Sequence, residues 1–134
     1  MSKTLVFCGG GSGGHVMPAL SLIESLKNDY RIVYVGSVSG IERDLVKEKD
    51  LDYKAISTGK LRRYNSFQNF LDVFKISLGF FQSLIFLLSF KRCDTLVFAF
   101  GGFVSVPLVV AARVLGFKTF IHEQTSRVGL ANRI

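Results

Sequence analysis

The chain has 134 residues, 49% of them hydrophobic, which is enough apolar material to bury the core of one domain. Its net charge of +7 favours an anionic partner, and nucleic acid, acidic lipid or a phosphorylated substrate would each qualify. Nucleic acid is disfavoured, because the phenylalanines run together in one apolar segment instead of alternating with basic residues.

The two cysteines indicate a reducing compartment and no metal site. Cys8 and Cys93 lie far apart, outside the spacing of metal ligands, and no secretory segment precedes the first strand. Cys8 ends an apolar run, so burial as a small hydrophobic residue is favoured over a role as a reactive thiol. The sequence therefore predicts a cytoplasmic chain, and leaves dependence on divalent cations open.

Short β-branched runs alternate with amphipathic segments, a pattern typical of an α/β fold whose parallel sheet is flanked by helices. The first half predicts strands at 4–8, 31–35 and 53–56 and helices at 16–26 and 41–49. The second half predicts a long apolar helix within 67–90, a strand at 95–100, a helix at 104–115 and a strand at 119–121. Another helix begins at Val128, so we expect the chain to be one part of something larger.

A glycine-rich loop, residues 9–14, joins the first strand to the first helix and is called the first glycine loop below. It matches the pattern G-x-G-x-x-G, which aims backbone N–H groups and a helix dipole at a phosphate. A dinucleotide cofactor would also need a carboxylate near the end of the second strand, but that strand ends in Val35, Gly36 and Ser37. An NAD-binding domain is therefore a weak alternative, and the sequence predicts no cofactor.

His15 directly follows the first glycine loop, at the start of the predicted helix. The helix dipole disfavours the imidazolium ion at that position, so the ring should be neutral and able to accept a proton. Attack of a hydroxyl group on a sugar–nucleotide bond needs such a base beside anion-binding groups. We therefore predict that His15 is the catalytic base, with packing or capping of the loop as the alternative.

The long apolar segment predicts a helix that lies on a membrane surface. Between Lys75 and Lys91 stand 15 uncharged residues, fewer than the roughly 20 that a spanning helix needs. One apolar face is predicted to pack on the sheet: Phe67, Phe70, Phe74, Leu78, Phe81, Ile85 and Leu88. A second face is predicted to meet anionic lipid, with cations at its rim: Val73, Ile76, Phe80 and Leu87, flanked by Lys60, Arg62, Arg63, Lys91 and Arg92. The alternative is that this second face packs against another protein or a further domain.

Two more loops are expected to open onto the same crevice as the first glycine loop. A second glycine loop, residues 100–103, contains Gly101 and Gly102 and follows a predicted strand. The polar run from His122 to Thr125 follows the last predicted strand. Because the carboxyl ends of parallel strands share one edge of a sheet, three such loops predict one site.

Four segments in order resemble the MurG family, the peptidoglycan N-acetylglucosaminyltransferases of glycosyltransferase family 28. They are GGGSGGHVMPAL at 9–20, TGKLRRY at 58–64, GGFVSVP at 101–107 and IHEQTSRVGLANRI at 121–134. The resemblance covers essentially the whole chain. It implies the N-terminal half of a GT-B glycosyltransferase, with two Rossmann-like domains around a cleft.

The resemblance also implies an activity and a division of labour. Family members transfer N-acetylglucosamine from UDP-GlcNAc to the muramyl 4-hydroxyl of an undecaprenyl-diphosphate-linked acceptor, with inversion, at the cytoplasmic face of the bacterial cell membrane. Residues 1–134 would bind the acceptor and the membrane, and a C-terminal domain absent from this chain would hold most of the UDP-GlcNAc. The alternative is a non-catalytic docking subunit of a split glycosyltransferase, which recruits a separate catalytic chain.

Site residues follow from the same resemblance. The acceptor diphosphate would be lined by Gly11, Ser12, Gly13, Gly14 and His15, the second glycine loop by Gly101 and Gly102, and the cleft by Glu123, Thr125 and Asn132. Two positions depart from the family pattern, because Phe103 stands where tyrosine is common and Thr125 where asparagine often follows the His-Glu-Gln triplet. No catalytic role is assigned to either residue.

Overall fold

A computed structural model describes residues 2–59 and 67–123 of the chain. Five parallel strands form one sheet in the order β3-β2-β1-β4-β5. The strands are β1 Thr4–Cys8, β2 Arg31–Ser37, β3 Asp52–Ile56, β4 Thr95–Ala99 and β5 Lys118–Ile121. The helices are α1 Gly13–Leu26, α2 Ile41–Lys47, α3 Phe67–Leu88 and α4 Ser105–Val114, with a short 3-10 turn at Arg92–Asp94. The predicted Rossmann-like α/β fold is confirmed.

The sheet is covered on both faces, and alternate residues of the central strand β1 supply the two halves of the core. Val6 and Cys8 pack with α4 and the buried part of α3, while Leu5 and Phe7 pack with α1 and β2. All five residues of β1 are buried, as expected of a central parallel strand.

Helix α1 begins at Gly13, three residues before the start that the sequence predicts. Glycine has a poor intrinsic helix propensity, so the sequence does not predict that the helix includes Gly13 and Gly14. The earlier start matters for function, because it places the end of the first glycine loop in the first turn of a helix.

The prediction of which face of α3 packs on the sheet is wrong. Phe67, Phe74 and Ile85, expected in the core, are 77%, 70% and 73% exposed. The other members of that predicted inward face are exposed as well: Phe70, Leu78, Phe81 and Leu88. We call these seven residues the exposed stripe.

Three of the four predicted lipid-facing residues of α3 instead point toward the protein. Leu87 is fully buried, Phe80 packs partly buried against the core, and Ile76 is half-buried, whereas Val73 is exposed. The predicted second apolar face is therefore wrong at three of its four positions, and only Val73 is open to solvent.

Small side chains explain the orientation of α3. A Cβ atom on Gly79 would overlap the carbonyl oxygen of Ser57, so the helix backbone lies directly against the end of β3. The Ser57 N–H donates to Oε1 of Gln82 at 2.7 Å, and the fully buried Ser83 hydroxyl donates to the Gly79 carbonyl. A large side chain cannot occupy the position of Gly79, so the phenylalanines of the exposed stripe remain on the opposite side of the helix.

Among the described helices, α3 is the one whose 22 residues are long and apolar enough to cross a bilayer by length and composition. A single helix of this kind is weak evidence for a span. Its Asp72 carboxylate is nearly buried, and its small-residue face packs on α4 and β3.

Candidate functional site

The two glycine loops lie side by side where the strand order of the sheet reverses. From β1 the chain moves to β2 on one side, and it later returns to β4 on the other side, so β1 and β4 flank the switch point. The first glycine loop follows β1, and the second follows β4. In open α/β sheets this crevice is the usual place for a ligand.

Direct backbone contacts hold the two loops together. The Gly10 N–H donates to the Gly101 carbonyl at 3.3 Å, and the Phe100 N–H donates to the Cys8 carbonyl at 2.7 Å. Gly102 has a φ of 83°, and a Cβ atom there would overlap the Gly10 carbonyl oxygen. Only glycine suits that position. The prediction that the two glycine loops face one crevice is confirmed by these contacts.

The start of α1 presents backbone donors on an open surface. Gly11, Ser12 and Gly14 are exposed, and a Cβ atom on Gly11 or Gly13 would meet no described atom within 4 Å. The Ser12 hydroxyl forms no capping hydrogen bond within the described chain, and the first turn carries no acidic side chain. Because first-turn N–H groups have no partner inside a helix, this surface suits an anion such as a phosphate.

His15 is held in one orientation by the second glycine loop. Its Nδ1 lies 3.0 Å from the carbonyl oxygen of Phe100, and the side chain is half-buried. A carbonyl oxygen only accepts hydrogen bonds, so Nδ1 carries the proton and Nε2 is the nitrogen that can take one up. The ring thus connects α1 to the start of the second glycine loop. The same hydrogen bond determines that Nε2 is the basic nitrogen.

The third predicted loop joins the site only in part. The His122 N–H donates to the Ala99 carbonyl at 2.8 Å, and the His122 ring centroid lies 5.2 Å from that of Phe100. Glu123 follows, half-buried. Thr125 and Asn132 lie outside the described residues.

An apolar groove, which sequence reasoning missed, lies between α1 and the β4–β5 end of the sheet. Its volume is about 400 Å³. The lining comes from Pro18, Leu22, Phe98, Ala99, Phe100, Phe120, Ile121 and His122. No periodicity marks this groove in the sequence, because it forms only when α1 meets two strands from the second half of the chain.

Glu42 is a buried residue beneath the first glycine loop that sequence reasoning also missed. It belongs to α2 and is fully buried, yet its carboxylate returns to the end of β2. The sequence contains no carboxylate at the end of β2, but the fold brings the Glu42 carboxylate to that position. Its oxygens accept bonds from Ser37 and Gly11, so they face the protein interior and not a ribose.

Glu42 lies close enough to Cys8, Tyr34 and Tyr53 for its charge to act on all three. Burial, followed by the charge of Glu42, raises the pKa of the Cys8 thiol, so Cys8 stays a protonated core residue as predicted. Burial is also the main cause that raises the pKa of Tyr34 and Tyr53. Their hydroxyl groups donate to backbone carbonyls, from Tyr34 to Gly9 at 2.8 Å and from Tyr53 to Ser37 at 2.6 Å.

The predicted cations at the rim of α3 are partly within the described chain. Lys91 and Arg92 are exposed just beyond the C-terminal end of α3, and the Arg92 guanidinium donates to the Leu115 carbonyl at 3.3 Å. Arg62 and Arg63 lie outside the described residues. Within residues 2–59 and 67–123, no group of three or more His, Cys, Asp or Glu side chains could hold a metal ion.

Comparisons with known proteins agree on one family. Residues 5–134 match the glycosyltransferase family 28 N-terminal domain. The chain is 50% identical over 100% of its length to a UDP-N-acetylglucosamine–N-acetylmuramyl-(pentapeptide) pyrophosphoryl-undecaprenol N-acetylglucosamine transferase of Streptococcus equi subsp. equi. It is 47% identical over 98% of its length to an enzyme of the same name from Clostridium kluyveri.

A solved structure is similar over nearly the whole chain. The crystal structure of Acinetobacter baumannii MurG matches 98% of the chain with a TM-score of 0.79 at 28% sequence identity. The chain spans 38% of the length of the Streptococcus enzyme, 37% of the Clostridium enzyme and 38% of the Acinetobacter chain.

Proposed function

Because the chain belongs to the glycosyltransferase family 28 N-terminal domains, we propose that it is the acceptor-binding part of an inverting N-acetylglucosaminyltransferase. The donor would be UDP-GlcNAc, and the acceptor undecaprenyl-diphosphate-linked N-acetylmuramoyl-pentapeptide, as the names of the relatives state for those enzymes. A further domain outside this chain would hold most of the UDP-GlcNAc. The product would be a lipid-linked disaccharide precursor of peptidoglycan.

The junction of the two glycine loops is the observation that carries this proposal. The acceptor diphosphate is an anion, and the exposed first turn of α1 offers N–H donors together with the positive end of a helix dipole. We assign the N–H contacts to Ser12, Gly13 and Gly14, while Gly11 lines the site and donates its own N–H to Glu42. Gly101 and Gly102 support it from the adjacent loop, since the Gly101 carbonyl accepts the Gly10 N–H.

His15 would act as the base in this reaction. Its Nε2 takes the proton from the muramyl 4-hydroxyl as that oxygen forms a bond to the anomeric carbon of N-acetylglucosamine. The bond between that carbon and the UDP phosphate oxygen breaks on the opposite face, and UDP leaves with the electron pair. The hydrogen bond from Nδ1 to the Phe100 carbonyl supports this role, because it holds the ring in the required tautomer.

The exposed stripe of α3 is the membrane-facing surface that we propose in place of the predicted one. Each large apolar side chain buried in lipid contributes about 1.5 to 3 kcal/mol, and each cation near an anionic surface about 1 kcal/mol. Lys91 and Arg92 stand at one end of the stripe. Because the other side of α3 packs on the domain, the helix would lie along the cytoplasmic surface of the bilayer instead of crossing it.

A transfer assay tests the proposed function. The complete transferase that contains this chain is given UDP-GlcNAc and either the undecaprenyl-diphosphate acceptor or the same muramyl peptide without its diphosphate. We expect transfer to the diphosphate acceptor and at least about tenfold lower kcat/KM without it, because charge-assisted hydrogen bonds are lost. Absence of transfer, or equal efficiency with both acceptors, would contradict the proposal.

A further inference from the structure

Glu42 is a fully buried carboxylate that the proposed reaction does not use. Oε1 accepts bonds from the Ser37 N–H at 2.8 Å and from the Ser37 hydroxyl at 2.5 Å. Oε2 accepts a bond from the Gly11 N–H at 3.3 Å. A buried charge is costly unless donors surround it, and here those donors come from the end of β2 and from the first glycine loop.

Three glycines make room for this side chain. A Cβ atom on Gly10 would lie 2.6 Å from the Glu42 carboxyl carbon, and one on Gly36 would lie 2.7 Å from its Cγ. A Cβ atom on Gly40 would overlap both carboxylate oxygens. The backbone therefore encloses the carboxylate closely on several sides, as it would for a side chain whose position is fixed.

We propose that Glu42 is a positioning residue that holds the first glycine loop in the conformation that binds the acceptor diphosphate. Gly11, whose N–H it accepts, has a φ of 82° and stands immediately before the exposed donors of α1. The Gly10 N–H is already bonded to the second glycine loop. Glu42 thus fixes the loop from the β2 side, while Gly101 fixes it from the β4 side. The inference rests on the proposed function.

Replacement of Glu42 by glutamine distinguishes two effects on acceptor binding: loss of the contact that holds the loop, and loss of the negative charge. A negative charge near an anion site repels the ligand, so removing the charge would by itself strengthen binding. Glutamine has nearly the same shape but only one acceptor oxygen, so an amide that satisfies Ser37 presents an NH2 group to the Gly11 N–H. Positioning therefore predicts weaker acceptor binding, which is the opposite sign.

The experiment compares Glu42→Gln with the parent in the complete transferase. We expect the acceptor KM to rise about tenfold as a hydrogen bond to a charged group is lost, with the UDP-GlcNAc KM unchanged and kcat affected much less. Hydrogen exchange of a peptide covering residues 9–15 should become faster, with the strands unaffected. Glu24→Gln makes the same chemical change on an exposed residue and should alter neither the acceptor KM nor the hydrogen exchange of residues 9–15.

Ser37→Ala is the second variant. It removes one hydroxyl donor from Oε1 but keeps the Gly11 contact, so it should raise the acceptor KM less than Glu42→Gln does. An acceptor KM in Glu42→Gln that is unchanged or lower would overturn the inference. If the parent transfers no sugar, the proposed function fails, and unchanged exchange of residues 9–15 would then overturn the positioning role separately.

Discussion

At the scale of single residues, the hydrogen bond between His15 and the Phe100 carbonyl connects sequence to chemistry. The sequence places His15 after the glycines and predicts a neutral ring, but it contains no information about which nitrogen would carry the proton. That information comes from Phe100, which is 85 positions away along the chain. A strand end supplied by the second half of the chain therefore determines the tautomer of a side chain in the first half.

Replacement of His15 tests whether the ring is a base. In the complete transferase, His15→Ala should lower kcat by about a hundredfold or more, the usual contribution of a general base. His15→Asn is the matched variant, because its side-chain amide can still donate to the Phe100 carbonyl but cannot accept a proton in place of Nε2. Steady-state kinetics should show the same loss for both variants, and recovery of activity in His15→Asn would mean that His15 only holds the loop.

At the scale of elements, α3 shows where periodicity is informative and where it fails. The spacing of the seven apolar residues correctly predicted that they share one side of a helix. The prediction that this side packs on the sheet is wrong, because all seven residues are exposed. Gly79 decides the direction, since it allows contact with the Ser57 backbone, and the buried Ser83 is a second small residue on the same side. A stripe of small residues is the signal in the sequence that could have revealed this.

Charge placed on the exposed stripe tests its proposed contact with lipid. Phe70→Glu combined with Phe74→Glu should abolish binding to anionic vesicles, because two large apolar side chains worth about 1.5 to 3 kcal/mol each are lost and two repulsive charges are added. The fold should survive, since these side chains are 73% and 70% exposed. Co-sedimentation with vesicles and circular dichroism provide the two measurements.

Two control variants accompany this test. Val38→Glu combined with Ile41→Glu adds the same charge at exposed apolar positions around α2, on the other face of the sheet, and should leave vesicle binding nearly unchanged. Leu87→Glu places a charge in the core and should unfold the domain. If the Phe70 and Phe74 double variant still binds vesicles, the membrane contact lies elsewhere.

At the scale of the whole molecule, the alternation of strands and helices was sufficient to predict the sheet, and the MurG-family resemblance is confirmed by the family match. Strand order and the meeting of the two glycine loops agree with the Rossmann-like expectation. Glu42 could not be predicted, because its return to the end of β2 depends on how α2 packs and on three glycines that have no common spacing. Contacts of this kind are set by tertiary packing, which a local pattern does not record.

The 134-residue chain alone should fold but transfer no sugar. The chain spans 38% of the Streptococcus relative. We propose that its site binds the acceptor, and we expect most of the UDP-GlcNAc pocket on another domain. Incubation of the purified chain with UDP-GlcNAc and the lipid-linked acceptor should release no UDP above background, with circular dichroism as the control for folding. Turnover by the chain itself would show that residues 1–134 bind both substrates.

Grafting of loops between related domains would have to treat the two glycine loops as one exchangeable unit. A Cβ atom on Gly102 would overlap the Gly10 carbonyl oxygen, so we expect a change in the backbone path of one loop to disturb the other. A hybrid that takes one loop from a relative would keep its geometry only if the two proteins share the same backbone conformation in both loops. Changes of acceptor preference by recombination should therefore succeed when both crossovers bracket the pair, and fail when a crossover falls between the loops.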